Sequence, residues 1–162
     1  MDQLTSYQTF LIEKKQASEN TVSSYVRDIS QYLQWLASEQ IVSEEATQED
    51  VDHYTKHLLS LGKTVSTVTR SLASLKSFYT FLQVEGVVET NPAKGLSLEK
   101  VERKLPQILT SKEVELFLEQ PDSRDAKGCR DKAMLELLYA TGIRVSELIG
   151  LNLEHLNLIL VA

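Results

Sequence analysis

From Val22 to Leu36 the chain carries Val22, Tyr25, Val26, Ile29, Tyr32, Leu33 and Leu36 at the three-and-four spacing of one helical stripe. That spacing gathers them on one side of an α-helix and leaves the other side polar, so the segment is stable only when other helices cover its stripe. Neighbouring segments supply such partners. Leu4, Tyr7 and Leu11 mark a short first helix, Val51, Tyr54 and Leu58 a third, and Val68, Leu72, Leu75, Tyr79 and Leu82 a fourth. Hydroxyl and amide residues between Ser18 and Asn20 cap the second helix, and Thr64 caps the fourth. Thr47-Gln-Glu-Asp50 reads as a capping box with aspartate as its acid, while Gly62 and Gly86 are stops. Four helices with short connections predict a compact bundle over residues 1–90.

From Asn91-Pro92 to Pro106 the apolar period lapses into a charged run containing Lys94, Lys100, Arg103 and Lys104, which reads as a linker over 91–106. A second unit over 107–162 opens with the capping box Thr110-Ser-Lys-Glu113 and a helix through Val114, Phe117 and Leu118. Pro121-Asp122 starts a loop. A longer helix follows from about Arg130 to Ala140 and breaks at Thr141-Gly142. The expected fold class is therefore mainly α.

Composition narrows the function. No run of apolar residues is long enough for a membrane span, and the polar start lacks the features of a signal peptide, so a cytoplasmic protein is expected. The single Cys129 closes no internal disulfide, and His53, His57 and His155 form no ligand pattern; no metal is expected. A net charge of −6 argues against nucleic acid as a partner, but its distribution argues the other way. Between Glu39 and Asp52 there are six acids and no base, whereas from His53 to Val84 there are four bases (Lys56, Lys63, Arg70, Lys76) and no acid. Such segregation predicts one positive face on an acidic protein.

The second and fourth helices also open alike. Ser18-Glu-Asn-Thr-Val-Ser23 and Thr64-Val-Ser-Thr-Val-Thr69 share the pattern [ST]-x-x-T-V-[ST], giving two matching N-termini rich in hydroxyl and N–H donors. Asn20, Ser24, Arg27 and Gln31, with Thr21 beside them, share a polar face of the second helix; Thr67, Arg70, Ser71 and Ser74, flanked by Lys63 and Lys76, share one on the fourth. By residue type alone both are solvated faces.

The stretch from Gly128 to Leu151, with Thr141-Gly-Ile-Arg-Val-Ser-Glu-Leu148 at its centre, resembles the segment around the first catalytic arginine of Xer-type tyrosine recombinases in the phage integrase family. Ala17-Ser-Glu-Asn-Thr-Val-Ser-Ser-Tyr25, the run Arg70 to Tyr79, Asn91-Pro-Ala93 and Lys104-Leu-Pro106 are similar to the same family in the same order. The resemblance implies a SAM-like helical core-binding domain followed by the start of a catalytic domain that this chain leaves incomplete. It implies site-specific recombination through a 3′-phosphotyrosine link, without metal, ATP or other cofactor. Duplex DNA at a recombination half-site is the implied partner. A tetrameric synapse is implied for the longer protein, and a monomer is expected for this chain.

Arg144 matches the first catalytic arginine, and Glu147, three residues on, is expected to orient it. None of the six tyrosines matches the family's nucleophile, so the chain alone is expected to be inactive; all six read as core or packing residues. The resemblance turns the two polar faces into DNA-facing ones: Asn20, Thr21, Ser24, Arg27, Lys63, Thr67, Arg70, Ser71, Ser74 and Lys76, with Lys100, Arg103 and Lys104 crossing the backbone from the linker. The alternatives are a non-catalytic module occupying the same DNA site and a helical protein-interaction domain.

Overall fold

The computed structural model describes residues 3–98 and 107–155 and divides into two units, Met1–Arg103 and Lys104–Ala162. The first holds α1 (Gln3–Glu13), α2 (Glu19–Ser38), α3 (Gln48–Ser60) and α4 (Val65–Val84). The second holds α5 (Ser111–Leu118), α6 (Ala126–Thr141) and α7 (Val145–Ile149), with a short 3-10 turn at Leu153–His155. Among the described residues there is no strand, and no helix is long and apolar enough to cross a membrane.

Local chemistry sets the helix starts. Ser18, Thr47, Thr64, Thr110 and Asp125 each accept a hydrogen bond from a backbone N–H in the first turn they cap. At Thr47 and Thr110 the box closes, with Asp50 and Glu113 accepting from the cap backbone at 2.8 and 2.7 Å. These hydrogen bonds hold the Asp50 and Glu113 carboxyls below their ordinary range. Capped by Asp125, α6 starts at Ala126, four residues before the expected Arg130, because Asp125 Oδ1 accepts from Gly128 N at 2.6 Å.

The first unit's core is aromatic. Tyr7, Tyr32, Tyr54, Phe78 and Tyr79 are almost fully buried beside Ile29, Leu36, Leu75 and Leu82, where α2 packs on α1 and α4. Tyr7 meets Phe78 edge-on at 5.3 Å and Tyr32 meets Tyr54 at 4.9 Å. Such edge-to-face pairs add about 0.5–1.5 kcal/mol to the burial of each ring. The buried hydroxyls are paired as well. Tyr79 Oη donates to Ser43 O at 3.2 Å, so in its 2.8 Å contact with Tyr32 it is the acceptor. Trp35, the chain's single tryptophan, is 8% exposed beside Tyr32 and Tyr54, with His53 and His57 at its rim.

Two expectations need correction here. The first part of the supposed linker, residues 91–98, packs on the bundle: Ala93 is fully buried and Leu96 and Leu98 lie against the core. Asn91 anchors it, donating through Nδ2 to Lys76 O at 2.9 Å and accepting from Ala93 N at 2.9 Å. Side-chain hydrogen bonds of this kind leave no apolar period to read. Tyr139, taken as a packing residue, is 65% exposed on α6. In the second unit Leu148 is the one large apolar residue buried among those described, while Phe117, Tyr139 and Ile149 stand open.

Candidate nucleic-acid interface

The matching openings of α2 and α4 fold into matching structures. Ser18 Oγ lies 2.9 Å from Thr21 Oγ1, and Thr64 Oγ1 lies 2.9 Å from Thr67 Oγ1; in each case the following valine, Val22 or Val68, is buried. The shared pattern is thus a cap, a hydroxyl partner and an apolar anchor, which explains the repeat by helix chemistry alone. Asn20, Arg27 and Lys63 are exposed near these ends, and Thr21, Ser24 and Thr67 are half-buried.

The fourth helix departs from the expected face. Ser71 and Ser74 are 5% and 0% exposed and line the core, so they do not reach a ligand from this position. Ser74 Oγ donates to Asp28 Oδ2 at 2.8 Å, a bond that makes a serine acceptable inside the bundle. Arg70 Nη1 donates to the same oxygen at 2.8 Å while its side chain remains 46% exposed. Lys76 lies on another flank of α4 and donates to Leu96 O at 2.6 Å, which ties it to the 91–98 segment. Lys56 pairs with Asp52 at 2.7 Å. Of the four bases between His53 and Val84, three therefore have partners within the protein, and the positive face is weaker than its composition implies. Lys100, Arg103 and Lys104 lie outside the described residues.

Asp28 was missed by sequence reading. The signal was present: it sits three after Tyr25 and four before Tyr32, at stripe spacing, where an acid demands a buried partner.

In the second unit α6 ends on Gly142, whose φ of +66° is left-handed and favours glycine. The chain turns there, and Arg144 becomes the cap residue of α7, one position before its first turn. Arg144 N donates to Glu147 Oε2 at 2.8 Å and its Nη1 to Oε1 at 2.9 Å. One carboxylate thus holds both the backbone and the guanidinium of Arg144, whose side chain stays 82% exposed. Such a guanidinium presents several N–H donors in a fixed plane, the geometry that suits a phosphate. No three His, Cys, Asp or Glu side chains gather into a metal site among the described residues.

Comparison with known proteins places these features. The family described as "Phage integrase, N-terminal SAM-like domain" matches residues 4–86, and "Phage integrase family" matches residues 107–159. A tyrosine recombinase XerD of Halalkalibacterium halodurans is 41% identical over 143 residues, 87% of this chain and 48% of the relative. A tyrosine recombinase XerC of Roseiflexus castenholzii is 38% identical over 159 residues, 97% of this chain and 51% of the relative. The chain spans about half the length of the curated relatives it matches. A solved integrase from mycobacterium phage Brujita shares the fold with a TM-score of 0.51 at 24% identity, covering 96% of this chain and 50% of that one.

Proposed function

The chain belongs to the phage integrase family, and from that membership we propose that it carries the DNA-gripping helices and first catalytic arginine of a site-specific tyrosine recombinase. The observation that carries this reading is Arg144: exposed, placed at the start of α7 by the Gly142 turn, and held through two hydrogen bonds by Glu147. Attack on a phosphodiester gathers negative charge on the non-bridging oxygens, and a fixed guanidinium stabilises that charge without needing to change protonation. The reaction would pass through a 3′-phosphotyrosine link and need no metal or nucleotide.

In this reading the starts of α2 and α4 face duplex DNA, with Asn20, Thr21, Ser24, Arg27, Lys63, Thr67 and Arg70 as the contact set. By itself the chain acts as a binding module. None of the six tyrosines matches the family's nucleophile, and Tyr7, Tyr32, Tyr54 and Tyr79 are buried besides. We place the protein in the cytoplasm, monomeric as this chain and tetrameric on paired sites in a protein of the relatives' length, with a first domain that takes in the packed segment to residue 98 and a second over 107–162.

Gel shifts with this chain at two salt concentrations test the reading. Modest binding that weakens steeply with salt is expected, because phosphate contacts release counterions. Salt-insensitive binding, or none at low salt, counts against it, and a covalent adduct formed by this chain would overturn the assignment of the nucleophile elsewhere.

A further inference from the structure

Asp28 is the one carboxylate buried against the core among the described residues, 4% exposed on α2. An apolar residue there would hold α2 to α4 without the desolvation that a charge incurs. What a carboxylate supplies in addition is direction. Its Oδ2 fixes Nη1 of Arg70 at 2.8 Å, and the oxygen is itself fixed by Ser74 Oγ at 2.8 Å. Because a guanidinium is a rigid plane, fixing one nitrogen sets the direction of its other N–H groups. The side chain is 46% exposed, so it meets solvent as well as Asp28. Thr67 precedes Arg70 by nearly one turn on α4, and Ser24 precedes Asp28 by about one turn on α2, so the fixed guanidinium sits amid the proposed contact set.

We infer that Asp28 is a positioning residue that aims Arg70 at DNA and thereby sets sequence discrimination rather than overall affinity. This rests on the DNA-binding reading above. A purely structural Asp28 and a positioning one differ in sign. Removing a negative charge near a DNA-facing surface raises attraction to any duplex, whereas loss of aim lowers preference for the right one.

The test uses this chain to enrich duplexes from a random-sequence pool, then compares the enriched duplex with a shuffled one by fluorescence anisotropy. If the wild-type chain enriches nothing, the DNA-binding reading itself falls. Given enrichment, Asp28→Asn should lower the preference about tenfold, the discrimination of one base contact, with affinity for the shuffled duplex equal or higher. Asn keeps a neutral acceptor for Ser74 but removes the charge that holds the guanidinium, so aim is loosened while the melting temperature should change little. Arg70→Ala should lose the same preference, and the double variant no more than either alone. Undiminished preference in Asp28→Asn, or losses that add in the double variant, would overturn the inference. Should Asp28→Asn not fold, side-chain NMR of the wild-type chain decides. The Arg70 guanidinium, identified by its absence in Arg70→Lys, should rotate slowly about Cζ–Nη and shift on adding the enriched duplex; free rotation would overturn the inference.

Discussion

Arg70 and Asp28 are 42 residues apart in sequence and joined by one short hydrogen bond, Nη1 to Oδ2 at 2.8 Å, that crosses from α4 to α2. An arginine that looks like a solvent-facing contact is also the counter-charge of a buried acid. Arg70→Ala should therefore destabilise the protein. Breaking a buried pair leaves an uncompensated charge, but Arg70 is half-exposed and water offsets part of the loss, so about 1–3 kcal/mol is expected. Exposed Arg27→Ala should stay within about 0.5 kcal/mol. Urea unfolding compares the two, and equal midpoints would show that the bond contributes nothing to stability.

The tyrosine core predicts an alkaline limit. Burial raises the phenols of Tyr54 and Tyr79 to about 12 from an ordinary 10.0 and those of Tyr32 and Tyr7 further still. A raised folded value means that the neutral phenol is favoured in the fold. The contribution is then complete below pH 10.0 and is lost as pH climbs toward about 12. Ionisation of these four phenols and loss of helical circular dichroism should go together as pH climbs toward that value and beyond; ionisation of these four with helices intact would contradict their burial.

Gly128 has no room for a side chain. A Cβ there would lie 1.9 Å from the Asp122 carbonyl oxygen, a backbone atom that moves only with its loop. Gly128→Ala should displace the loop before α6 and cost about 1–3 kcal/mol despite alanine's better helix propensity. Limited proteolysis at 119–127 reads the outcome, and unchanged cleavage would show that the loop yields freely.

Arg144 and Glu147 should separate in kinetics. In a protein of the relatives' length, Arg144→Ala should reduce covalent-complex formation on a nicked substrate at least about 10²–10³-fold, and Arg144→Lys nearly as much because the planar fork is lost. Glu147→Gln should cost about tenfold, one hydrogen bond's worth, with DNA affinity nearly unchanged. Equal loss of binding and cleavage in Arg144→Ala would make it a general DNA contact.

The helices were legible because their signals are local: an apolar residue every third or fourth position, a hydroxyl at each start, a glycine after the end. Thr47 with Asp50 and Thr110 with Glu113 close the boxes that their letters spell. Long-range partners were not legible. Ser74 reads as surface until Asp28 is known to accept its hydroxyl, and Lys76 until Leu96 O is known to meet it. Residues 91–98 carry no period because Asn91, rather than an apolar stripe, holds them down. Arg144 and Glu147 were found through a resemblance and their three-residue spacing; the double use of the Glu147 carboxylate, backbone as well as guanidinium, needed coordinates.

Trp35 gives the molecule an optical reporter for one unit alone. Indole emission follows the packing of Tyr32, Tyr54 and the two histidines around that ring, and no tryptophan occurs in 104–162. Far-ultraviolet circular dichroism, by contrast, sums the helices of both units. Among its described residues the second unit buries one large apolar side chain, Leu148, so its share of the ellipticity should decay at a lower temperature than the emission changes. The gap between the two melting curves thus measures how far the helices around Arg144 depend on company that the first unit does not need.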